Sequence, residues 1–191
     1  MIKVIIFDCF GVLVRSSLEA FIDRHFHDEA KIASIRHLDH LASKGKITWD
    51  EYLDKVGVLA NMDHQSVKAE LDQTPANEEL FTYIENDLKP HYKIGMLSNA
   101  YADWLDDLFT PEQQQLFDDI VLSYRTGMAK PDPRIYRLSS TNFGVAAQEC
   151  VFIDDIPQYC EAARSVGMKA ICFHDVEQLR RDLDKILTSA K

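Results

Sequence analysis

Short apolar runs recur along this chain, and each ends at or beside a polar residue. They are KVIIFD at 3–8, KIGMLSN at 93–99, DIVLS at 119–123, CVFID at 150–154 and KAICF at 169–173. Turn-forming or polar residues bound each run, and helix-capable sequence separates one from the next. A strand buried on both faces reads as an unbroken apolar run, and strands alternating with helices build a parallel sheet. The pattern predicts an α/β fold, a Rossmann-like doubly wound parallel sheet core with an inserted α-helical unit.

The insertion follows from one gap that a single crossover helix does not fill. From Arg15 to His91 the chain is rich in Leu, Ala, Glu, Lys and His and has no strand-like alternation. A connection of that length builds structure of its own. Helical spacing puts Leu18, Phe21, Ile22 and Phe26 on one face, then Ile32, Ile35, Leu38 and Leu41 on another, with Gly45 as the C-cap. Thr48 and Glu51 have the form of a capping box. Asp63 is placed to cap a fourth helix that stops near residues 73–75, and a helix over 77–88 leads back to the sheet. The expected organisation is a core of residues 1–14 and 77–191 with a helical cap of residues 15–76.

Charge narrows the partners. The 191 residues carry 31 acidic against 21 basic side chains, a formal net charge of -10. That sign opposes general attraction to nucleic-acid phosphates and to anionic lipid, so neither nucleic acid nor membrane is an expected partner. An anionic ligand must meet a local positive device. No apolar run approaches the roughly 20 residues of a membrane span, and the start, MIKVIIFDCFGVLV, is broken by Asp8 and lacks a small-residue cleavage site. Cys9, Cys150, Cys160 and Cys172 form no CxxC pair, and three lie in or beside apolar runs, where thiols pack as small hydrophobes. They read as reduced, and the expected location is cytoplasmic. Oligomeric state is not written in these features.

In open parallel sheets ligands gather outside the carboxyl ends of the strands, so the polar residues there are the candidates. Asp8 ends the first run, Ser98 and Asn99 the second, Asp154 and Asp155 the CVFID run, and Lys130 lies in GMAKPDPRIY after the DIVLS run. Three carboxylates gathered at one edge repel one another unless cations neutralise them. A hard divalent ion answers that need, and magnesium takes oxygen ligands while keeping waters for a phosphate. Lys130 supplies a fixed positive charge that holds Asp8 ionised and grips a phosphate oxygen. Ser98 is placed to donate to another.

The set FDCFGVLV, MLSNA, AKPDPRIY and VFIDDIPQYCEAARSVGM resembles, in order and spacing, the four motifs of haloacid dehalogenase-like hydrolases. The resemblance spans nearly the whole chain, and the insertion after the first motif is similar to the small helical cap of one subfamily. It implies a hydrolase, with Asp8 as the nucleophile that forms an aspartyl-phosphate. Ser98, Asn99 and Lys130 would bind phosphate, and Lys130 would also stabilise the transferring group's charge. Magnesium would lie on Asp8, the backbone carbonyl of Phe10 and Asp155, with Asp154 direct or through water. The implied substrate is a small phosphorylated metabolite.

Two positions depart from the family pattern. Family phosphatases usually carry an aspartate where this chain has Phe10, and that aspartate protonates the leaving oxygen and then activates water. Phenylalanine does neither, and general acid–base help is typically worth roughly 10²–10⁴ in rate. Tyr159 stands where related sequences often place Asn or Asp. The leading expectation is therefore a magnesium-dependent phosphatase, slow if no other group supplies the proton. The alternatives are a catalytically weakened member that binds a phosphometabolite or a partner, and a 2-haloacid dehalogenase. Asp155 as a helix N-cap and Ser98 as a helix cap are the plain structural readings of those residues. Cap residues near Arg15 and Arg24 are candidates for substrate contact.

Overall fold

The computed structural model describes residues 1–14, 17–72 and 75–188. Each of the five apolar runs forms a strand: β1 (Val4–Phe7), β2 (Lys93–Ser98), β3 (Asp119–Leu122), β4 (Cys150–Asp154) and β5 (Lys169–Cys172). They make one sheet in the order β3-β2-β1-β4-β5, and every pairing is parallel. The central strand is the most apolar and is buried at all four positions, as a strand covered on both faces must be.

The side-chain alternation of a strand assigns the two faces. Val4 and Ile6 of β1, with Leu97, Val121 and Phe152, pack on α9 (Pro133–Asn142) and α10 (Pro157–Ser165). Ile5 and Phe7, with Ile94, Met96, Val151, Ile153 and Ile171, pack on α5 (Glu78–Tyr83) and α11 (Val176–Thr188). The helix predicted over 77–88 is α5, capped by Asn77 and continued as a π-helical turn over Ile84–Leu88. Single-turn helices α6 (Leu105–Leu108) and α7 (Pro111–Gln114) join β2 to β3, and a third, α8 (Ser123–Thr126), lies between β3 and α9.

The long connection after β1 holds α1 (Ser17–His25), α2 (Glu29–Ser43), α3 (Trp49–Ala60) and α4 (His64–Leu71). These helices enclose a separate apolar cluster of Phe21, Ile22, Phe26, Ile35, Ala42, Tyr52, Leu53, Val56, Val67 and Leu71. Thr48 and Glu51 make the reciprocal capping box, and Asp63 caps α4 by accepting from Ser66 N–H. Gly45 follows the last turn of α2 with φ +65, a conformation that glycine adopts without steric cost. The buried face of α2 is narrower than its spacing predicts: Ile35, Ala42 and Ser43 are buried, while Ile32, Leu38 and Leu41 stay partly exposed. The predicted stop of the fourth helix falls partly outside the described residues, and α4 ends at Leu71. Among the described residues no helix is long and apolar enough to cross a membrane.

Two contacts tie α1–α4 to the sheet edge. The Ser123 hydroxyl, at the end of β3, accepts from Ala100 N–H at 2.9 Å and donates to the carbonyl of Ser43 at the end of α2. Tyr101 stacks on Trp49 and Tyr52, with centroids 4.7 and 5.2 Å away, and its hydroxyl donates to Asp39 of α2. Both links start from the segment that follows Ser98 and Asn99.

Candidate active site

Strand order decides where the candidate residues meet. The chain runs outward from β1 through β2 to β3, then returns to place β4 on the other side of β1, so β1 and β4 flank the point where connections diverge. Ligands of open α/β sheets bind there, beyond the carboxyl ends of the strands. Asp8 follows β1 and donates its N–H to the Ile153 carbonyl of β4 at 2.8 Å, which locks the two acidic strand ends side by side. Asp8, Asp154 and Asp155 lie together, each offering a carboxylate oxygen within 4.8 Å of the others.

Lys130 enters this group from the loop after β3. Its ammonium sits 2.7 Å from Asp8 Oδ1 and 2.6 Å from Asp154 Oδ2, and it is 1% exposed. Its backbone is clamped by Asn99, whose Oδ1 accepts from Lys130 N–H at 2.8 Å and whose Nδ2 donates to the Lys130 carbonyl at 3.1 Å. Asn99 therefore clamps the Lys130 main chain, and its Nδ2 also donates to the Tyr159 hydroxyl at 3.4 Å. Ser98 is wholly buried at the end of β2, and its hydroxyl turns to the Asn99 carbonyl at 3.4 Å.

Each carboxylate has a distinct setting. Asp8 Oδ1 also accepts from Cys9 N–H at 2.7 Å, so both of these donors fall on one carboxylate oxygen. Asp154 is buried completely, with Oδ1 accepting from Ile156 N–H at 2.8 Å and Oδ2 taken by Lys130. Asp155 lies beside Gly11, where φ is +88 and a Cβ would come within 2.3 Å of Asp155 Oδ2. A side chain at position 11 would occupy the space that Asp155 uses. The plain readings of two residues fail: the N-cap of α10 is Ile156 and not Asp155, and no helix begins at Ser98.

Electrostatics explains why the cluster needs cations. Burial pushes the Asp8 carboxyl well above the ordinary carboxylate range, Lys130 pulls it back, and Asp154 pushes it up again. Burial works against the Lys130 ammonium, but Asp154 and then Asp8 outweigh it and hold the amine more basic than an ordinary lysine. One ammonium is shared by Asp8 and Asp154, with the third carboxylate, Asp155, beside them. An all-oxygen donor set with surplus negative charge, beside a glycine that leaves Asp155 its room, fits a hard divalent cation.

Phe10 completes the first turn after Asp8 without supplying a proton. Its half-buried ring packs edge-on against Trp104, with centroids 5.1 Å apart. Of the two arginines that mark the cap region expected near substrate, Arg24 pairs with Glu70 at 2.6 Å, and Arg15 lies outside the described residues. Sequence reasoning missed Ser123, Asp39 and the link through Tyr101. Only the aromatic at position 101, directly after MLSNA, offered a signal, because Ser123 and Ser43 are 80 residues apart.

These features define a class. The model of the haloacid dehalogenase-like hydrolases matches residues 2–167, and the chain belongs to that family of hydrolases. Phosphatase MT3486 of Mycobacterium tuberculosis is 38% identical over 99 residues, 51% of this chain and 46% of that protein. Bifunctional epoxide hydrolase 2 of Sus scrofa is 35% identical over 92 residues, 44% of this chain and 17% of that one. The first curated relatives are thus matched over less than a third of their own length. A predicted HAD-like hydrolase from Porphyromonas gingivalis superposes with a TM-score of 0.77 at 25% identity, covering 98% of both chains. A HAD family enzyme from Bacteroides thetaiotaomicron, solved with magnesium and inorganic phosphate, shares the fold with a TM-score of 0.72 at 24% identity, over 94% of this chain and 99% of that one.

Proposed function

We propose that this hydrolase is a magnesium-dependent phosphatase that acts slowly on a small phosphorylated metabolite, with Asp8 as nucleophile and α1–α4, residues 15–76, as a cap over a core of residues 1–14 and 77–191. The carrying observation is the buried triad of Asp8, Lys130 and Asp154 at the divergence of β1 and β4, with Asp155 beside it. Phosphatase MT3486 and the glyceraldehyde 3-phosphate phosphatase of Pyrococcus abyssi, 24% identical over 140 residues, 72% of this chain and 56% of that protein, support the reaction class.

Asp8 Oδ2 attacks phosphorus while the bond to the leaving oxygen breaks and its electron pair departs with that oxygen. Water then attacks the aspartyl-phosphate, releasing phosphate and restoring Asp8, so that one difficult displacement becomes two easier ones. Lys130 and Ser98 donate to the phosphoryl oxygens, and Asn99 holds Lys130 in register. Asp8, the Phe10 carbonyl and Asp155 are the residues that would hold magnesium, with Asp154 behind them because Ile156 N–H and Lys130 already occupy its oxygens. When bound, the ion offsets the negative charge of nucleophile and phosphate. Phe10 supplies no proton to the leaving oxygen, so water must do so, and turnover is slow for substrates with poor leaving groups.

The test is inorganic phosphate release from a panel of phosphomonoesters with magnesium, beside Asp8→Asn. Turnover that vanishes in Asp8→Asn is expected. Turnover equal in both proteins would remove Asp8 as the nucleophile. No release by folded wild type that still binds magnesium would leave the weakened, phosphometabolite-binding reading that Phe10 favours.

A further inference from the structure

Lys130 has three N–H donors, and Asp8 and Asp154 take two. Two aromatic faces flank the ammonium. The Tyr159 ring centroid lies 4.9 Å from Nζ and the Phe152 centroid 5.4 Å. Phe152 belongs to β4, whereas Tyr159 sits in the first turn of α10, and its carbonyl accepts from the Tyr136 hydroxyl at 3.1 Å. The Tyr159 hydroxyl in turn meets Nδ2 of Asn99 at 3.4 Å, the same amide that clamps the Lys130 backbone. Tyr159 thus touches both the charged tip of Lys130 and the residue that fixes its main chain.

We propose that Tyr159 is a positioning residue of the phosphoryl-transfer site: its ring face holds the Lys130 ammonium so that the remaining N–H points at the transferring group. This deepens the phosphatase reading and rests on it. The physical need is specific. Lysine carries a compact charge on a flexible four-carbon stem, and two buried carboxylates on one side draw that charge away from an incoming phosphate. A ring face attracts a desolvated ammonium without offering a lone pair that competes with the phosphoryl oxygens. Phe152 supplies a second, more distant face from the sheet, so loss of Tyr159 leaves Lys130 bound to its carboxylates but poorly aimed.

Fluorinated phenylalanines at position 159 separate this role from simple filling of space, because each fluorine weakens the ring's attraction for a cation with little change in shape. The expected result is that Tyr159→Phe keeps most of kcat, that kcat then falls stepwise to about one tenth in the trifluoro variant, and that magnesium affinity by calorimetry stays constant. A flat series overturns the proposal. So does a Tyr159→Phe loss as large as that of Tyr159→Leu, which would assign the role to the hydroxyl on Asn99. Acetylation of Lys130 by acetic anhydride, followed by mass spectrometry, gives a readout independent of turnover. Labelling should rise several-fold from wild type to Tyr159→Leu, or to the trifluoro variant if Tyr159→Leu does not fold. If wild type releases no phosphate, the phosphatase reading fails, and the labelling series alone decides whether Tyr159 holds Lys130: unchanged labelling overturns that too.

Discussion

The Phe10 ring meets Trp104 edge to face at 5.1 Å, two residues beyond Asp8, and the Trp104 indole N–H is buried without a hydrogen-bond partner. An apolar contact thus occupies position 10, where the family resemblance implies an acidic side chain in phosphatases. A buried donor left unpaired costs roughly 1–3 kcal/mol. Phe10→Asp is expected to raise kcat for phosphomonoesters by about 10² or more, within the usual range for general acid–base help. Phosphate release at saturating substrate measures it. An unchanged kcat would mean that another group already supplies the proton.

Lys130 is the only cation that the described residues place against Asp8 and Asp154. Its removal strands two buried carboxylates, and breaking such a group from one side costs about 3–5 kcal/mol. Lys130→Met should lower the melting temperature by about 10 °C, since 1 kcal/mol moves a domain of this size by roughly 2–4 °C. The same variant is expected to lose turnover. Differential scanning fluorimetry gives the first quantity, and a shift under 2 °C would contradict the burial argument.

Gly11 leaves the room that Asp155 occupies. Gly11→Ala puts a methyl where Asp155 Oδ2 now lies and forces an L side chain to φ +88. The expected outcome is magnesium affinity weakened about tenfold or more, with a loss of about 1 kcal/mol in stability from the backbone alone. Calorimetric titration with magnesium, with Asp155→Ala as the reference for a lost ligand, checks the first part. Equal affinity in wild type and both variants would remove Asp155 from the metal site.

Far from the site, Asp118 gathers the amino ends of β2 and β3. It accepts from Lys89 at 2.8 Å, Lys93 at 3.0 Å and Ile94 N–H at 2.8 Å. Partial burial raises its pKa, but Lys89, the Ile94 N–H and Lys93 outweigh that and bring it from 3.8 to about 2. A carboxylate depressed in the folded state contributes stability above its unfolded pKa and loses it as pH falls toward the folded value. Asp118→Asn should therefore cost about 1 kcal/mol at pH 7, after allowance for solvent screening, and the difference from wild type should shrink between about pH 4 and pH 2. Urea unfolding at pH 7 and at pH 3 tests the sign, and a gap that widens in acid would refute it.

Much of this molecule could be read from local sequence because its signals are local. A short, β-branched apolar run such as VIIF between polar residues suits a strand covered on both faces, and a Thr48–Glu51 pair satisfies helix-end N–H groups three residues away. Strand ends likewise mark Asp8 and Asp154, which the fold joins to Lys130 from the loop after β3. What a residue does among those neighbours depended on groups distant in sequence. Asn99 was expected on a phosphate, yet its amide holds Lys130, 31 residues on. Tyr159 was an unexplained departure until the fold put its ring over the same ammonium. Ser123 carries no local mark, and only the packing of α2 against α8 turns its hydroxyl to Ser43. Periodicity and capping are written in the chain because they act over a few residues. Orientation and pairing at the site were settled by the tertiary structure, since burial lets a buried polar group stand only where the fold brings it a partner.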